Sequence, residues 1–228
     1  MTDVQNSYNK TCKLVIDLLN STSSGKQEFI FVTGAAGTGK TTLIERVKNQ
    51  CRKRKIVVAP TGIAALNVGG QTIHSAFRIP TGPMPEIRKH KDRGFNKLLK
   101  KLDLLIIDEI SMVKSSLLDA ISDSLKIHRE SKLPFGGVSV LVCGDLFQLP
   151  PVVDTVAEKE MLLNRYESVY FFDAWCIQQI VEPKTIELPH SFRHQEDQAF
   201  ITLLNNIRLG LDLEEAVKKI NEVCFEPE

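Results

Sequence analysis

Apolar positions change their period along this chain. Val4, Tyr8, Cys12, Val15 and Leu19 recur at helical spacing, and the pattern stops at the polar stretch Asn20 to Lys26. Four short, unbroken apolar runs follow: Phe29 to Val32, Ile56 to Ala59, Leu104 to Ile107 and Val138 to Cys143. Each has the length and β-branched content of a strand buried on both faces. Helical spacing returns between them at Leu43 to Arg54 and at Ser115 to Ile127, where Leu117, Leu118, Ile121 and Leu125 share one face. A further strand is expected over Thr185 to Leu188, and helices over Asp197 to Leu209 and Leu213 to Val223. Strand alternating with helix predicts an α/β fold, a mostly parallel sheet with helices on both faces. No internal repeat is evident.

From Ile79 to about Lys91 the chain carries Pro80, Gly82, Pro83 and Pro85, which forbid a regular element and mark an inserted loop. Beside it, Arg88, Lys89, Lys91, Arg93, Lys97, Lys100 and Lys101 face only Glu86 and Asp92. Overall charge hides this patch, since 29 basic and 28 acidic residues leave a net +1. Any attraction for a polyanion must therefore be local. With 228 residues, 43% hydrophobic and 25% charged, disordered and low-complexity classes are excluded. The length suits one large domain, or one with a fragment of a second.

Cys12, Cys51, Cys143, Cys176 and Cys224 are an odd set without C-x-x-C spacing, against a disulfide framework or a zinc ribbon and in favour of a reducing compartment. The first residues lack the features of a leader peptide, and no apolar stretch approaches the ~20 residues that span a bilayer. No membrane partner is expected.

The candidate chemistry lies where strands end. Gly34 to Thr41 reads GAAGTGKT, a G-x-x-x-x-G-K-[ST] phosphate loop between an expected strand and an expected helix. Its glycines let backbone N–H groups converge on phosphate oxygens at a helix N-terminus. Gly34, Ala35, Ala36, Gly37, Thr38, Gly39, Lys40, Thr41 and Thr42 form the expected cradle, with Lys40 reaching the β- and γ-phosphates and the Thr41 hydroxyl ligating Mg²⁺.

Leu104 to Met112, LLIIDEISM, is a strand ending in two carboxylates: Asp108 is placed to hold Mg²⁺ through its bound water, and Glu109 to polarise an attacking water. A kinase has less need of that second acid, so the pair favours nucleotide hydrolysis. In VSVLVCGDLFQLPP, Gln148 follows a strand and can sense a γ-phosphate or orient water.

Pro60 to Phe77 reads PTGIAALNVGGQTIHSAF. The small and hydroxyl residues Thr61, Gly62, Gly69, Gly70 and Thr72 permit close approach of a phosphodiester backbone, Pro60 stands with them as an expected nucleic-acid residue, and His74 and Phe77 offer a hydrogen bond and a stacking face. His190 and His194 are four apart, but Ser191 stands where a zincin pattern needs Glu. The run Arg52 to Lys55 falls at the expected C-terminus of a helix, where the dipole favours cations.

GAAGTGKT, PTGIAALNVGGQTIHSAF, LLIIDEISMV, FGGVSVLVCGDLFQLPPV and ELPHSFRHQ, in this order, closely resemble the superfamily 1B DNA helicases, RecD-like and of the petite-integration-frequency (PIF) type. The resemblance runs from about Val4 to Gly210. It implies a RecA-like P-loop ATPase domain over residues 1–188, with an inserted loop or wedge at about 79–101, and a linker and incomplete start of a second such domain over 189–228. By that resemblance Lys40, Thr41, Asp108 and Glu109 form the ATPase core, Gln148 the γ-phosphate sensor, Arg193 an arginine finger and Gln5 the adenine-reading glutamine. ATP and Mg²⁺ are the implied cofactors. Single-stranded DNA, duplex junctions and the remaining helicase domains of a parent protein are the implied partners, with 5′ to 3′ movement. The implied location is cytoplasmic in a bacterium or phage, and nuclear or mitochondrial in a eukaryote. The later motifs of a second motor domain have no counterpart in these residues. A non-motor module that binds ATP or DNA is therefore the alternative to an ATP-driven translocase.

Overall fold

The computed structural model describes residues 3–21, 26–190, 192 and 198–224. Helix α1 (Asp3–Asn20) leads into β1 (Phe29–Thr33), α2 (Lys40–Gln50), β2 (Lys55–Ala59), α3 (Gly62–Asn67), β3 (Gln71–Thr72) and α4 (Ile73–Phe77). After the proline-rich loop come α5 (Arg93–Lys101), β4 (Leu104–Ile107), α6 (Ser115–Arg129) and β5 (Ser139–Gly144). The chain continues through α7 (Val156–Leu163), α8 (Trp175–Gln178), β6 (Lys184–Glu187), α9 (Gln198–Leu209) and α10 (Leu213–Cys224).

The strands form one sheet in the order β3-β2-β4-β5-β1-β6, and every pairing is parallel. Register follows the apolar runs: Ile56 lies opposite Leu105, Ile30 opposite Leu141 and Val32 opposite Ile186. Alternate strand residues point to opposite faces, so each run supplies two cores. On one face Leu105, Ile107, Val140 and Val142 pack with Leu118, Ile121 and Leu125 of α6 and Phe95 and Leu99 of α5. On the other Ile30, Val32, Leu104, Ile106 and Leu141 pack with Cys12, Val15 and Leu19 of α1 and Leu43, Ile44 and Val47 of α2. Helices thus cover both faces, as expected. The described cysteines, Cys12, Cys51, Cys143 and Cys176, are all buried and free, and no described helix is long and apolar enough to cross a membrane.

The expected helix from Leu43 to Arg54 ends earlier. α2 stops at Gln50, Cys51 is extended, and Lys55 opens β2. The basic run therefore lies in a connection, yet its side chains serve structure. Lys55 Nζ donates to the carbonyls of Lys48 and Cys51 at 2.8 and 2.7 Å, satisfying the C-terminal end of α2. Arg54 forms a two-pronged pair with Asp103 at 2.7 and 2.9 Å. Short elements absent from the periodicity are set by side-chain caps: the Thr61 hydroxyl accepts from Ala64 N–H, Thr72 from Ser75 N–H, and Asp92 from Gly94 and Phe95 N–H.

No regular element occurs between Arg78 and Asp92, as the prolines require. The loop is nonetheless fastened. His90 N–H donates to His128 Nε2 at 3.1 Å, and Arg78 pairs with Asp92 at 3.0 Å while its guanidinium lies 4.5 Å from the Phe95 ring centre. Beyond it, Arg129 of α6 donates to the carbonyls of Leu99, Lys100 and Leu102, which closes the end of α5.

Candidate active site

The C-terminal ends of β4, β5 and β1 are neighbours in the sheet and open into one cleft of about 550 Å³. The loop after β1 turns through Gly37 (φ 77°) and Gly39 (φ 92°), left-handed conformations that glycine adopts without strain. No side chain caps α2. The positive end of its dipole thus faces the cleft without a side-chain acceptor. Ala36, Gly37, Gly39, Lys40, Thr41 and Thr42 line the cleft, whereas Gly34, Ala35 and Thr38 form the inner side of the loop. Thr38 is buried and its hydroxyl donates to the Ala35 carbonyl at 3.0 Å.

Lys40 Nζ donates to the carbonyls of Gly34 and Ala35 at 2.6 and 2.9 Å. Burial lowers its pKa, and the charges of Asp145, Glu109 and Asp108 oppose that shift. Asp108, at the tip of β4, is 5% exposed and makes no ion pair among the described residues. Burial, joined by the charge of Glu109, pushes its carboxyl up to about 6. A buried, unneutralised acid beside a phosphate loop is the donor chemistry a divalent cation wants, so Asp108 and the Thr41 hydroxyl fit Mg²⁺. Glu109 lines the cleft from a left-handed backbone (φ 50°, ψ 47°), which is uncommon for a non-glycine residue and turns the chain sharply after the strand.

Gln148 also lines the cleft, and its amide donates to Asp145 Oδ2 at 3.1 Å. Gln5 reaches the same cleft from α1. Arg193 lies outside the described residues, as does His194, so neither the finger expectation nor the histidine pair has a placement here. The preceding Phe192 is described: its N–H donates to the Gly37 carbonyl at 2.9 Å and its ring meets Tyr8 edge-on at 5.1 Å. Among the described residues no cluster of three potential metal-binding side chains occurs.

Several cleft residues carry no motif in the sequence. Tyr8 belongs by spacing to a helix face, yet its hydroxyl donates to the Gly39 carbonyl at 2.8 Å, and a Cβ on Gly39 would stand 2.8 Å from its ring. Arg46 sits 5.2 Å from that ring centre and donates to Asn9. Asp145, behind the cleft and within VSVLVCGDLFQLPP, is 1% exposed directly after β5, an acid after a strand as at Asp108.

The expected nucleic-acid residues lie along the same sheet edge, at the ends of β2 and β3. Gly62 is open, and a Cβ there would meet nothing within 4 Å. Phe77 is a correction: it is 3% exposed, packed in the core, and has no face to stack on a base. His74 Nδ1 contacts the Ile79 carbonyl at 3.1 Å, which anchors the start of the proline-rich loop. A larger groove of about 880 Å³ beside α5 carries none of the chemistry above; of its cations Lys48 and Arg78 are paired with Glu45 and Asp92, and Lys55 is bonded to the Lys48 and Cys51 carbonyls.

The profile of the PIF1-like helicase family matches residues 7–218. The chain belongs to the PIF1-like helicase family. Within that family it is similar to the ATP-dependent DNA helicase PIF1 of Candida albicans, 38% identical over 189 residues, covering 79% of this chain and 21% of the other. The human ATP-dependent DNA helicase PIF1 is 33% identical over 201 residues, covering 86% and 29%. A crystal structure of the Pif1 helicase from Bacteroides in complex with ADP-AlF3 and ssDNA superposes with a TM-score of 0.85 at 39% identity, covering 95% of this chain and 50% of that one. The chain thus spans less than a third of these curated PIF1 relatives and half of the solved one. The PIF1-like match takes in α9 and part of α10 as well as the sheet.

Proposed function

We propose that this chain is the first motor portion of an ATP-dependent DNA helicase, with residues 1–188 a RecA-like ATPase domain and residues 189–228 the opening of a second. The observation that carries this is a single cleft in which an uncapped helix N-terminus, Lys40, Glu109 and Gln148 converge. Phosphates lie against the amides at the start of α2, and Lys40 exchanges the carbonyls of Gly34 and Ala35 for phosphate oxygens. The Thr41 hydroxyl, and Asp108 through a bound water, would hold Mg²⁺, which would supply charge neutralisation. Glu109 takes the proton of the attacking water, Gln148 reads the γ-phosphate, and Gln5 and Tyr8 border the end of the cleft where a base would lie. Arg193 supplies the finger.

Relatives named as DNA helicases, one of them crystallised with ssDNA, support single-stranded DNA and duplex junctions as partners. The strand is read as crossing the edge at Pro60, Thr61, Gly62, Thr72 and His74 in the 5′ to 3′ sense of the family. The proline-rich loop and α5 stand beside it as the wedge. Localisation follows the parent: bacterial or phage cytoplasm, or a eukaryotic nucleus or mitochondrion.

Nucleotide affinity and ATPase turnover, with and without single-stranded DNA, test the reading. Lys40→Ala is expected to lose nucleotide binding. Glu109→Gln is expected to keep binding and lose turnover by roughly 10²- to 10⁴-fold, the usual worth of a general base. A Glu109→Gln chain that hydrolyses ATP at the native rate refutes the assigned role.

A further inference from the structure

Asp145 is the most heavily engaged acid among the described residues. Its carboxylate, 1% exposed, receives Phe147 N–H on Oδ1 at 3.1 Å and the Gln148 amide on Oδ2 at 3.1 Å. Arg208, 63 residues further along on α9, completes the set: Nη2 donates to Oδ1 at 2.8 Å and Nε to Oδ2 at 3.3 Å. The same guanidinium lies 4.6 Å from the Phe147 ring centre, so it grips the turn by charge and by stacking. Asp145 is also the first of the anions acting on Lys40. Burial alone would raise its pKa, but Arg208, Phe147 N–H and Gln148 together hold it below the ordinary carboxylate value.

Gln148 and Arg208 therefore share one carboxylate oxygen. A sensor amide bonded to Asp145 turns only as far as Asp145 allows, and Asp145 is oriented by a two-pronged guanidinium rooted in a different element. Were Arg208 to leave, the buried carboxylate would lose its paired cation and still act on the charge of Lys40. The amine would be drawn toward the acid and away from phosphate.

We infer that Arg208 is a positioning residue: through Asp145 it sets the Gln148 amide and the freedom of Lys40, and so ties the placement of α9 to the presence of a γ-phosphate. This deepens the proposed function and rests on its reading of Gln148. Binding linkage is reciprocal, so a γ-phosphate that needs Arg208 in place must in turn tighten α9.

Isothermal titration of the chain with Mg-ADP and with Mg-AMP-PNP gives the ratio of the two affinities. Arg208→Gln is expected to weaken Mg-AMP-PNP more than Mg-ADP and so to reduce that ratio on the order of tenfold, the effect of one misplaced charge-assisted bond. Arg208→Lys keeps the charge without the two-pronged grip and is expected to fall between, which preserves the test if Arg208→Gln does not fold. Hydrogen exchange over residues 202–209 is expected to slow more with Mg-AMP-PNP than with Mg-ADP, and a merely structural role for Arg208 would not produce this. Gln148→Ala separates the two levels. If Gln148→Ala lowers the ratio and neither Arg208 variant does, the inference is overturned and the sensor reading stands. If Gln148→Ala leaves the ratio unchanged, the sensor reading itself fails and the inference goes with it.

Discussion

Asp108 illustrates how a single side chain sets function against stability. Its carboxyl is shifted up from 3.8 to about 6. An acid with a raised folded-state pKa destabilises the fold progressively as pH climbs from about 4 to 6, and the penalty persists above that. At 1.36 kcal/mol per unit this amounts to about 3 kcal/mol at neutral pH without a bound cation. Asp108→Asn is therefore expected to make the nucleotide-free chain more stable at pH 7 by an amount of that order, with the gain vanishing below pH 4. Urea unfolding across that range checks it. The same variant is expected to lose Mg²⁺-dependent hydrolysis, and added MgATP is expected to stabilise the native chain far more than the variant. The left-handed Glu109 next to it is a second local expense, of roughly 1 kcal/mol or more, retained where the chain must swing a carboxylate into the cleft.

At the scale of elements, the stretch that reads as one basic patch divides in two. Glu130, just past the end of α6, takes up Lys89 and Lys100, and Glu86 takes up Arg88. Lys91, Arg93, Lys97 and Lys101 are exposed and make no ion pair among the described residues. Replacing Arg93, Lys97 and Lys101 together by alanine is expected to weaken single-stranded DNA binding. The slope of log affinity against log salt should flatten by about 0.7 for each phosphate no longer neutralised; an unchanged slope places these cations off the DNA path. Arg129→Met is a control of a different kind, because it uncaps α5 and leaves carbonyls without donors, with an expected loss of roughly 3 kcal/mol in urea unfolding.

The long strands and helices were legible because unbroken or evenly spaced apolar runs reflect burial directly. α3 and α4 were not, since each begins at a single hydroxyl cap, Thr61 or Thr72, that reads in sequence as loop chemistry, and β3 was not, since it is only two residues paired with β2. The phosphate loop and the Asp108–Glu109 pair were legible because they are contiguous. Asp145, Tyr8 and Arg208 were not, since their significance comes from meeting residues tens of positions away.

For the whole molecule, the proposed function makes this sheet one of two walls that a stepping motor would close around a nucleotide. Residues 1–228 on their own are expected to bind Mg-ATP yet hydrolyse it slowly and fail to separate a tailed duplex. An arginine finger held in place is worth roughly 10³ to 10⁵ in rate, and directional stepping needs two bodies that open and close. Robust unwinding by these residues alone would overturn the half-motor reading.

The strand order also governs when the cleft can exist. β1 carries the phosphate loop, but its two neighbours in the sheet are β5 and β6, beginning at Ser139 and Lys184, whereas β2 and β4 can pair with each other earlier. A chain emerging from the ribosome thus offers its phosphate loop first and secures it last. Until Lys184–Glu187 has emerged, β1 is an edge strand whose backbone groups on one side are unpaired.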